Sequence, residues 1–247
     1  MATTAPDFHG RIALVTGGSR GIGAAVAVAL AEAGADVAVN YRERAEAAAT
    51  VAKDIERTGQ RALAVGADVS SSGAVAKMIE RITAELGPID ILVNNAGIGR
   101  RRAPEELDEA EWDATIAVNL KGAFLCTQAV LPGMQARGFG RIVNISSGAA
   151  RGPGGIGVHY NASKAGLEGL TRGYAARLAK TGITVNAVAP SLIETEMIPG
   201  GVEEAAKRVP MGRVGRPEEV AQAVVMVAAN AYMTGQTVQV NGGILFI

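Results

Sequence analysis

Tyr160 and Lys164 have the residue types and the spacing of a proton donor with its own activating charge. They are four positions apart, so on a helix their side chains share one face. Free tyrosine has a pKa near ~10, which is too high for an efficient acid or base at neutral pH. A neighbouring ammonium favours the tyrosinate and lowers that pKa, so the pair predicts acid–base chemistry on a substrate oxygen.

Ser147 precedes this pair and follows a predicted strand. At the carboxyl end of a parallel strand, its hydroxyl can hydrogen-bond a carbonyl oxygen and stabilise negative charge that develops on it. Ser146 is the competing residue, because neighbouring strand residues point to opposite sides. His159 points about 100° away from Tyr160 on a helix, so it either lines the substrate pocket or is structural.

A glycine-rich stretch near the start of the chain has the form of a phosphate-binding turn. Residues 16–23 read T-G-G-S-R-G-I-G and lie between the first predicted strand and the first predicted helix. Gly17, Gly21 and Gly23 allow the backbone to turn sharply and approach a pyrophosphate, while the helix N-terminus supplies N–H groups and a positive dipole end. The position of the turn, more than its glycine content, predicts a dinucleotide site.

These residues must be positioned by alternating short apolar runs and longer Ala-rich amphipathic segments. The alternation predicts an α/β fold of the Rossmann type, a doubly wound sheet of about seven parallel strands with helices on both faces. The predicted strands are 12–15, 37–39, 62–65, 91–93, 141–145, 184–187 and 237–240. The predicted helices are 22–33, 45–58, 72–86, 108–131, 160–180 and 217–229. Residues 1–247 are expected to form one domain, in which 194–216 is a candidate substrate lid.

Composition argues against several classes of function. The 24 basic and 24 acidic side chains balance, which disfavours a nucleic acid or an anionic membrane as partner. Cys126 is the only cysteine and is expected to be buried; with two histidines, the chain is expected to hold no metal. No signal-peptide pattern or apolar run of ~20 residues is seen, so a soluble, cytoplasmic protein is expected. The run Arg100-Arg101-Arg102 follows a strand, which favours a solvated or interface role over an anion site.

With its remaining motifs, the chain resembles the short-chain dehydrogenase/reductase family over nearly its whole length. The family's T-G-x-x-x-G-x-G turn is followed in order by D-V at 68–69, N-N-A-G at 94–97, Asn119, Ser147 and the Y-x-x-x-K pair Tyr160 and Lys164. The resemblance implies that the last four are the catalytic residues and favours Ser147 over Ser146. It also implies a water-linked proton path from Asn119 through Lys164.

The resemblance further implies a cofactor-binding set. The stretch 186–195, N-A-V-A-P-S-L-I-E-T, is close to the family's N-x-x-x-P-G-x-x-x-T, whose last positions meet the nicotinamide carboxamide. Ser191 replaces the usual glycine, although serine tolerates positive φ poorly. The implied set is Gly17, Ser19, Arg20, Gly21, Ile22, Gly23, Tyr41, Arg42, Asp68, Val69, Asn95, Ala96, Gly97, Tyr160, Lys164, Pro190, Ile193 and Thr195.

Two arginines favour NADP(H) over NAD(H). An NAD site usually presents a carboxylate to the ribose at the end of the second strand. Counting along that strand puts Tyr41 there, followed by Arg42, whereas counting from the glycine turn puts Glu43 there. Arg20 and Arg42 can bind the 2′-phosphate through charge-assisted hydrogen bonds. The alternative is that Arg42 and Arg44 are only solvated loop residues.

Two further stretches, 213–220 and 234–243, resemble the bacterial 3-oxoacyl-(acyl-carrier-protein) reductase branch. The resemblance implies reduction of a β-ketoacyl thioester with NADPH, a homotetramer or homodimer, and acyl carrier protein as a partner. That partner is acidic, so a basic patch is expected near the pocket, to which Arg137 and Lys180 could belong. Two alternatives stay open: a related ketone, alcohol or sugar dehydrogenase, and a regulatory protein that senses NADP without catalysis.

Overall fold

The fold is built on one sheet that carries the apolar runs of the sequence. The computed structural model describes residues 6–196, 198 and 201–246. The strands are β1 (Ile12–Val15), β2 (Asp36–Tyr41), β3 (Ala62–Gly66), β4 (Ile91–Asn94), β5 (Gly140–Ile145), β6 (Ile183–Pro190) and β7 (Thr237–Val240). All are parallel, in the order β3-β2-β1-β4-β5-β6-β7, which confirms the predicted Rossmann-type sheet.

Helices cover both faces of the sheet. They are α1 (Gly21–Glu32), α2 (Ala45–Glu56), α3 (Ser72–Glu85), α4 (Glu109–Ile116), α5 (Gly122–Arg137), α6 (Val158–Leu178), α7 (Val202–Ala206) and α8 (Pro217–Ala229). The prediction of one helix over 108–131 is wrong in detail, because a π-helical turn, Ala117–Lys121, separates α4 from α5. Part of the predicted lid is also helical, since it contains α7; Met197, Pro199 and Gly200 of that lid lie outside the described residues.

Alternate strand residues supply two separate cores. Val15, Val39 and Val93 pack with α1 and α8 on one face, whereas Leu14 and Leu92 pack with α3 and α5 on the other. Successive side chains of a strand point to opposite faces, so strands covered on both sides must be apolar throughout. The second core contains Cys126, whose predicted burial is confirmed.

The strand order brings the predicted site residues to one edge. β1 lies between β2 and β4, so the chain reverses direction across the sheet at the β1–β4 boundary. Parallel sheets bind ligands in the crevice outside the carboxyl ends of the strands at such a switch point. The loops that follow β1, β4, β5 and β6 open there together.

The sign of φ at several helix ends, and at Ser191 in the loop after β6, follows from residue type. Four glycines that follow helices α1, α2, α3 and α6 have the positive φ of a left-handed helix end; they are Gly34, Gly59, Gly87 and Gly182. Ser191 needs no such conformation, because no non-glycine residue among those described has positive φ.

The tract Glu109–Arg137 is long and apolar enough to cross a membrane by length and composition alone. In the fold it packs against α3, α6 and strands β4 and β5. Its apolar residues Cys126, Val130 and Met134 lie in the core beneath the sheet. Packing on the sheet therefore accounts for the apolar side of this tract.

Candidate active site

Ser147, Tyr160 and Lys164 come together at the carboxyl edge of the sheet. Ser147 follows β5, while Tyr160 and Lys164 lie one turn apart near the start of α6. The Lys164 Nζ is 5.7 Å from the centre of the Tyr160 ring, and the Ser147 side chain acts on the phenol in the direction that lowers its pKa. Tyr160 and Lys164 are only 8% and 4% exposed. The cluster predicted from sequence thus exists as a contact network, and its catalytic roles stay a prediction.

Burial controls the protonation of this cluster in the free chain. It raises the pKa of the Tyr160 phenol, an effect only partly offset by the hydrogen bond from Ser147. It lowers the pKa of the Lys164 ammonium to about 8. Lys164 Nζ donates to the Ile145 carbonyl at 2.7 Å. The expected net lowering of the Tyr160 pKa is wrong for the chain alone, because desolvation is the larger effect. The phenol is therefore held as a neutral proton donor.

Ser146 and Ser147 have different surroundings. The Ser146 hydroxyl is buried and donates to the Lys164 carbonyl and to Glu168 Oε1, both at 3.3 Å. Glu168 in turn accepts from Arg151 Nε at 2.7 Å, which ties the loop after β5 to α6. Ser146 is thus a structural link, and Ser147 is the hydroxyl in contact with Tyr160.

Asn119 lies in the π-helical turn, a local widening that is frequent at functional sites. Its Oδ1 accepts from Ile98 N at 2.8 Å, and its Nδ2 donates to the Ile98 carbonyl at 2.9 Å and to Ser163 Oγ at 3.1 Å. A Cβ on Gly97 would lie 3.4 Å from Asn119 Oδ1 and 3.7 Å from Lys164 Nζ. Asn119 therefore clamps the loop after β4 to α6, while the proton path through it stays a prediction.

The glycine turn fits the close backbone approach that a pyrophosphate requires. Gly17 and Gly21 have positive φ of 61° and 52°. A Cβ on Gly17 would lie 2.9 Å from Ala96 Cα, and one on Gly23 would collide with the Asn95 side chain. Asn95 Nδ2 donates to the Gly17 carbonyl at 2.9 Å, so the N-N-A-G loop forms the floor beneath the turn.

Two residues that the sequence prediction did not single out hold this turn in place. Thr16 Oγ accepts from both backbone N–H groups of 95–96 at 3.0 Å, and Asn40 Oδ1 accepts from Gly17 N at 3.3 Å. α1 begins beside them with no side-chain cap at its N-terminus. Its first N–H groups therefore fit the pyrophosphate of a dinucleotide.

The last residue of β2 is an uncharged tyrosine, and an arginine follows it. Tyr41 is the last residue of β2, and its ring lies 3.3 Å from where a Cβ on Gly66 would be. Arg42 follows and forms an ion pair with its neighbour Glu43. Hydrogen bonds from Ser70 lower the pKa of Asp68. The sequence count that placed Tyr41, rather than Glu43, at the strand end is confirmed.

Arg44 joins this cationic edge. It precedes α2, as Arg20 precedes α1, and both arginines form ion pairs with Glu196. Arg44 is thus more than the solvated loop residue considered as an alternative. No sequence signal reveals the contact, because Glu196 lies 152 positions from Arg44.

The other predicted cofactor positions lie along the same edge. Val69, Pro190 and Ile193 have buried side chains. A Cβ on Gly21 would lie 3.3 Å from Thr195 Cγ2, so the loop after β6 crosses over the glycine turn. The partly exposed positions here are Ser19, Ile22, Asn95 and Ala96, and Gly97 is exposed.

His159 is structural rather than pocket-lining. It is fully buried, with Nε2 3.2 Å from the Arg100 carbonyl. Arg100 and Arg102 face the buried Glu111 carboxylate, at 3.3 and 3.8 Å. Arg101 makes no ion pair with any residue in the described part of the chain.

An open cavity of ≈ 490 Å³ lies between the loops that follow β4 and β5. The two loops are joined by a hydrogen bond from Arg102 N to the Ile156 carbonyl at 3.0 Å. A Cβ on Gly99 would lie 2.9 Å from Ile156, which lines the cavity, and 3.3 Å from the Tyr160 ring, so Gly99 lies close to both residues. Its lining includes Arg101, Arg102, Pro104, Gly155, Ile156 and Val158.

A doubly wound sheet with a glycine-rich turn at its switch point, and a buried tyrosine–lysine pair at the same sheet edge, is typical of a nicotinamide-dependent oxidoreductase. The chain belongs to the short chain dehydrogenase family, whose model matches residues 11–205. This membership confirms the resemblance that the motifs implied.

The sequences of named relatives match this chain over almost its whole length. An acetoacetyl-CoA reductase of Rhizobium meliloti (strain 1021) is 45% identical, over 96% of this chain and 99% of the relative. A 3-oxoacyl-(acyl-carrier-protein) reductase FabG of Staphylococcus aureus is 42% identical, over 94% and 96%. A solved structure of a mutant short-chain dehydrogenase/reductase from Serratia marcescens superposes with a TM-score of 0.90 at 37% identity, over 96% and 98%.

Proposed function

We propose that this protein uses NADPH to reduce 3-oxoacyl thioesters to 3-hydroxyacyl thioesters. The observation that carries the reaction is the buried contact network of Ser147, Tyr160 and Lys164 beside the glycine turn. The thioester is supported by the relatives that are named acetoacetyl-CoA reductase and 3-oxoacyl-(acyl-carrier-protein) reductase.

In this reaction the chain's own residues act on the substrate oxygen, and bound NADPH supplies the hydride to the carbonyl carbon. Ser147 donates a hydrogen bond to the carbonyl oxygen and stabilises the negative charge that develops there. Tyr160, kept neutral by burial, gives its proton to that oxygen, so its O–H bond breaks as the alcohol O–H forms. Lys164, with a pKa of about 8, stabilises the resulting tyrosinate and returns a proton near neutral pH.

The choice of NADPH rests on the charge of the adenosine end. Tyr41 occupies the strand end where an NAD site usually has a carboxylate, and Arg20, Arg42 and Arg44 lie around it. A dianionic 2′-phosphate gains charge-assisted hydrogen bonds from such arginines.

The proposal includes an assembly and a partner. Large apolar side chains on α4, α5 and the C-terminal region are exposed, and a homotetramer or homodimer would bury such side chains between copies; they are Trp112, Phe124, Tyr232 and Phe246. Acyl carrier protein as the thioester carrier, and a cytoplasmic location, complete the proposal. Molecular mass in solution, by light scattering, tests the assembly.

NADPH oxidation tests the substrate directly. Acetoacetyl-CoA should support turnover with NADPH at a kcat/KM at least about tenfold above that with NADH or with simple ketones. Higher activity on a simple ketone would reassign the protein to another alcohol dehydrogenase. Tight NADPH binding with no activity on any carbonyl would reassign it to a cofactor sensor.

A further inference from the structure

The carboxylate of Glu196 occupies the space between two arginines at the adenosine end of the site. Its two oxygens accept from Arg44 Nη1 and Nη2, each at 3.1 Å, in a paired geometry. One of these oxygens also accepts from Arg20 Nη1. Both carboxylate oxygens of Glu196 therefore accept hydrogen bonds, and two guanidinium groups donate them.

Three separate loops build this contact. Arg20 follows β1 and Arg44 follows β2, and these strands are neighbours in the sheet. Glu196 comes from the loop after β6, which crosses back over the glycine turn, as the proximity of Thr195 to Gly21 shows. The acid reaches the arginines only because the loop after β6 covers the same turn that would hold the dinucleotide.

Arg20 and Arg44 bind this carboxylate through the same groups that would bind a phosphate, but the ion pairs are exposed and weak. Guanidinium forks bind carboxylate and phosphate oxygens in the same paired way. Arg20 and Arg44 are each 51% exposed and Glu196 is 63% exposed. Exposed ion pairs are screened by solvent and are readily exchanged for a stronger anion.

We propose that Glu196 competes with the 2′-phosphate of NADP(H) for Arg20 and Arg44, and thereby limits the selectivity for NADP(H) over NAD(H). The inference rests on the proposed use of NADPH. A 2′-phosphate must displace the carboxylate, because a dianion and a carboxylate on the same arginines repel each other. NADH carries no phosphate at this position and leaves both ion pairs intact.

Cofactor affinity of Glu196→Gln tests the proposal without requiring turnover. Kd values for NADPH and NADH are measured by the fluorescence of the reduced cofactor in the wild type and the variant. The variant should bind NADPH about 3- to 10-fold more tightly, while its Kd for NADH stays unchanged. Glu194→Gln is the matched control: Glu194 is an exposed acid on the same loop that pairs with no cation among the described residues, and its variant should resemble the wild type.

Half-cofactors isolate the phosphate. Adenosine 2′,5′-bisphosphate should gain affinity in Glu196→Gln by the same factor, and adenosine 5′-monophosphate should not, in equilibrium dialysis. Adding Arg44→Gln to the variant should shrink that gain, because one of the competing cations is then gone.

The outcomes separate this inference from the proposed function. A wild-type protein that binds NADPH no more tightly than NADH overturns the NADPH assignment, whatever Glu196 does. Unchanged NADPH-to-NADH affinity ratios in Glu196→Gln, or equal gains for both cofactors, overturn the competition by Glu196.

Discussion

The Ser147–Tyr160–Lys164 cluster and the arginine edge, which we propose to serve one bound cofactor, are built in opposite ways. Tyr160 and Lys164 are less than a tenth exposed, and Lys164 is bonded to the backbone of β5. Arg20 and Arg44 are half exposed and contact an acid from a distant loop. Burial makes desolvation the dominant force in the first region, whereas solvent screening keeps interactions weak and exchangeable in the second. Substitutions in the cluster should therefore have large effects, and those at the edge small ones.

The largest effect is expected from Tyr160→Phe, which removes the proton donor and keeps the ring. Turnover should fall by about 10³-fold, while the Kd for NADPH changes little. Tyr174→Phe is a control on the same helix, since Tyr174 is hydrogen-bonded to Gln128 away from the cluster. Steady-state rates and cofactor fluorescence measure the two quantities. Retained turnover in Tyr160→Phe would exclude the mechanism.

Ser147→Ala should lower kcat by about 10²-fold, because it removes a hydrogen-bond donor to the developing alkoxide. Ser146→Ala removes only the structural bonds to Lys164 and Glu168, so its effect on kcat should be much smaller. Measuring kcat for both variants under the same conditions compares the two neighbouring hydroxyl groups. Equal losses would mean that the contact with Tyr160 carries no catalytic role.

The buried ammonium should make stability depend on pH. The Lys164 pKa is about 8 in the folded chain and about 10.4 when unfolded, so between these values the unfolded chain binds more protons. Lys164 should therefore contribute a rise in stability with pH of about 2 kcal/mol between about pH 7.5 and 9.5, which the buried Cys126 thiol, with its pKa raised to about 12, partly opposes in every variant that keeps it. Urea unfolding of the cofactor-free wild type and of Lys164→Met isolates the lysine, because the difference in stability between the two proteins should shift by that amount in favour of the wild type. The same pH dependence in both proteins would contradict the cost assigned to burying Lys164.

The smallest effect is expected at the exposed edge. Arg42→Ala should raise the KM for NADPH by about 3- to 10-fold and leave that for NADH nearly unchanged. Arg57→Ala, which removes an exposed ion pair with Asp54 at the far end of α2, is the control. Equal increases in KM for both cofactors would show that Arg42 does not bind the 2′-phosphate.

Regions of the site differ in how far the sequence could predict them. The glycine turn and the Tyr160–Lys164 pair are local patterns, so spacing alone placed them on the right elements. Asn40 offers a weaker signal, as a polar residue that directly follows the apolar run 37–39. Arg44 and Glu196 offered none, because their contact depends on how a loop crosses the sheet edge. The pKa of Tyr160 was predicted in the wrong direction, since burial depends on the whole fold.

The sequence by itself determined where strands and helices alternate along the chain and which side chains could take part in chemistry. It could do so because periodicity and turn residues act over short distances. Only the tertiary structure decided how those groups behave. Desolvation set the pKa values of Tyr160 and Lys164. A hydrogen bond to α6 gave Ser146 a structural role that Ser147 does not share. The loop after β6 placed Glu196 among the arginines that we propose to bind the cofactor. Each of these depends on distances between residues far apart in the chain, which no local pattern encodes.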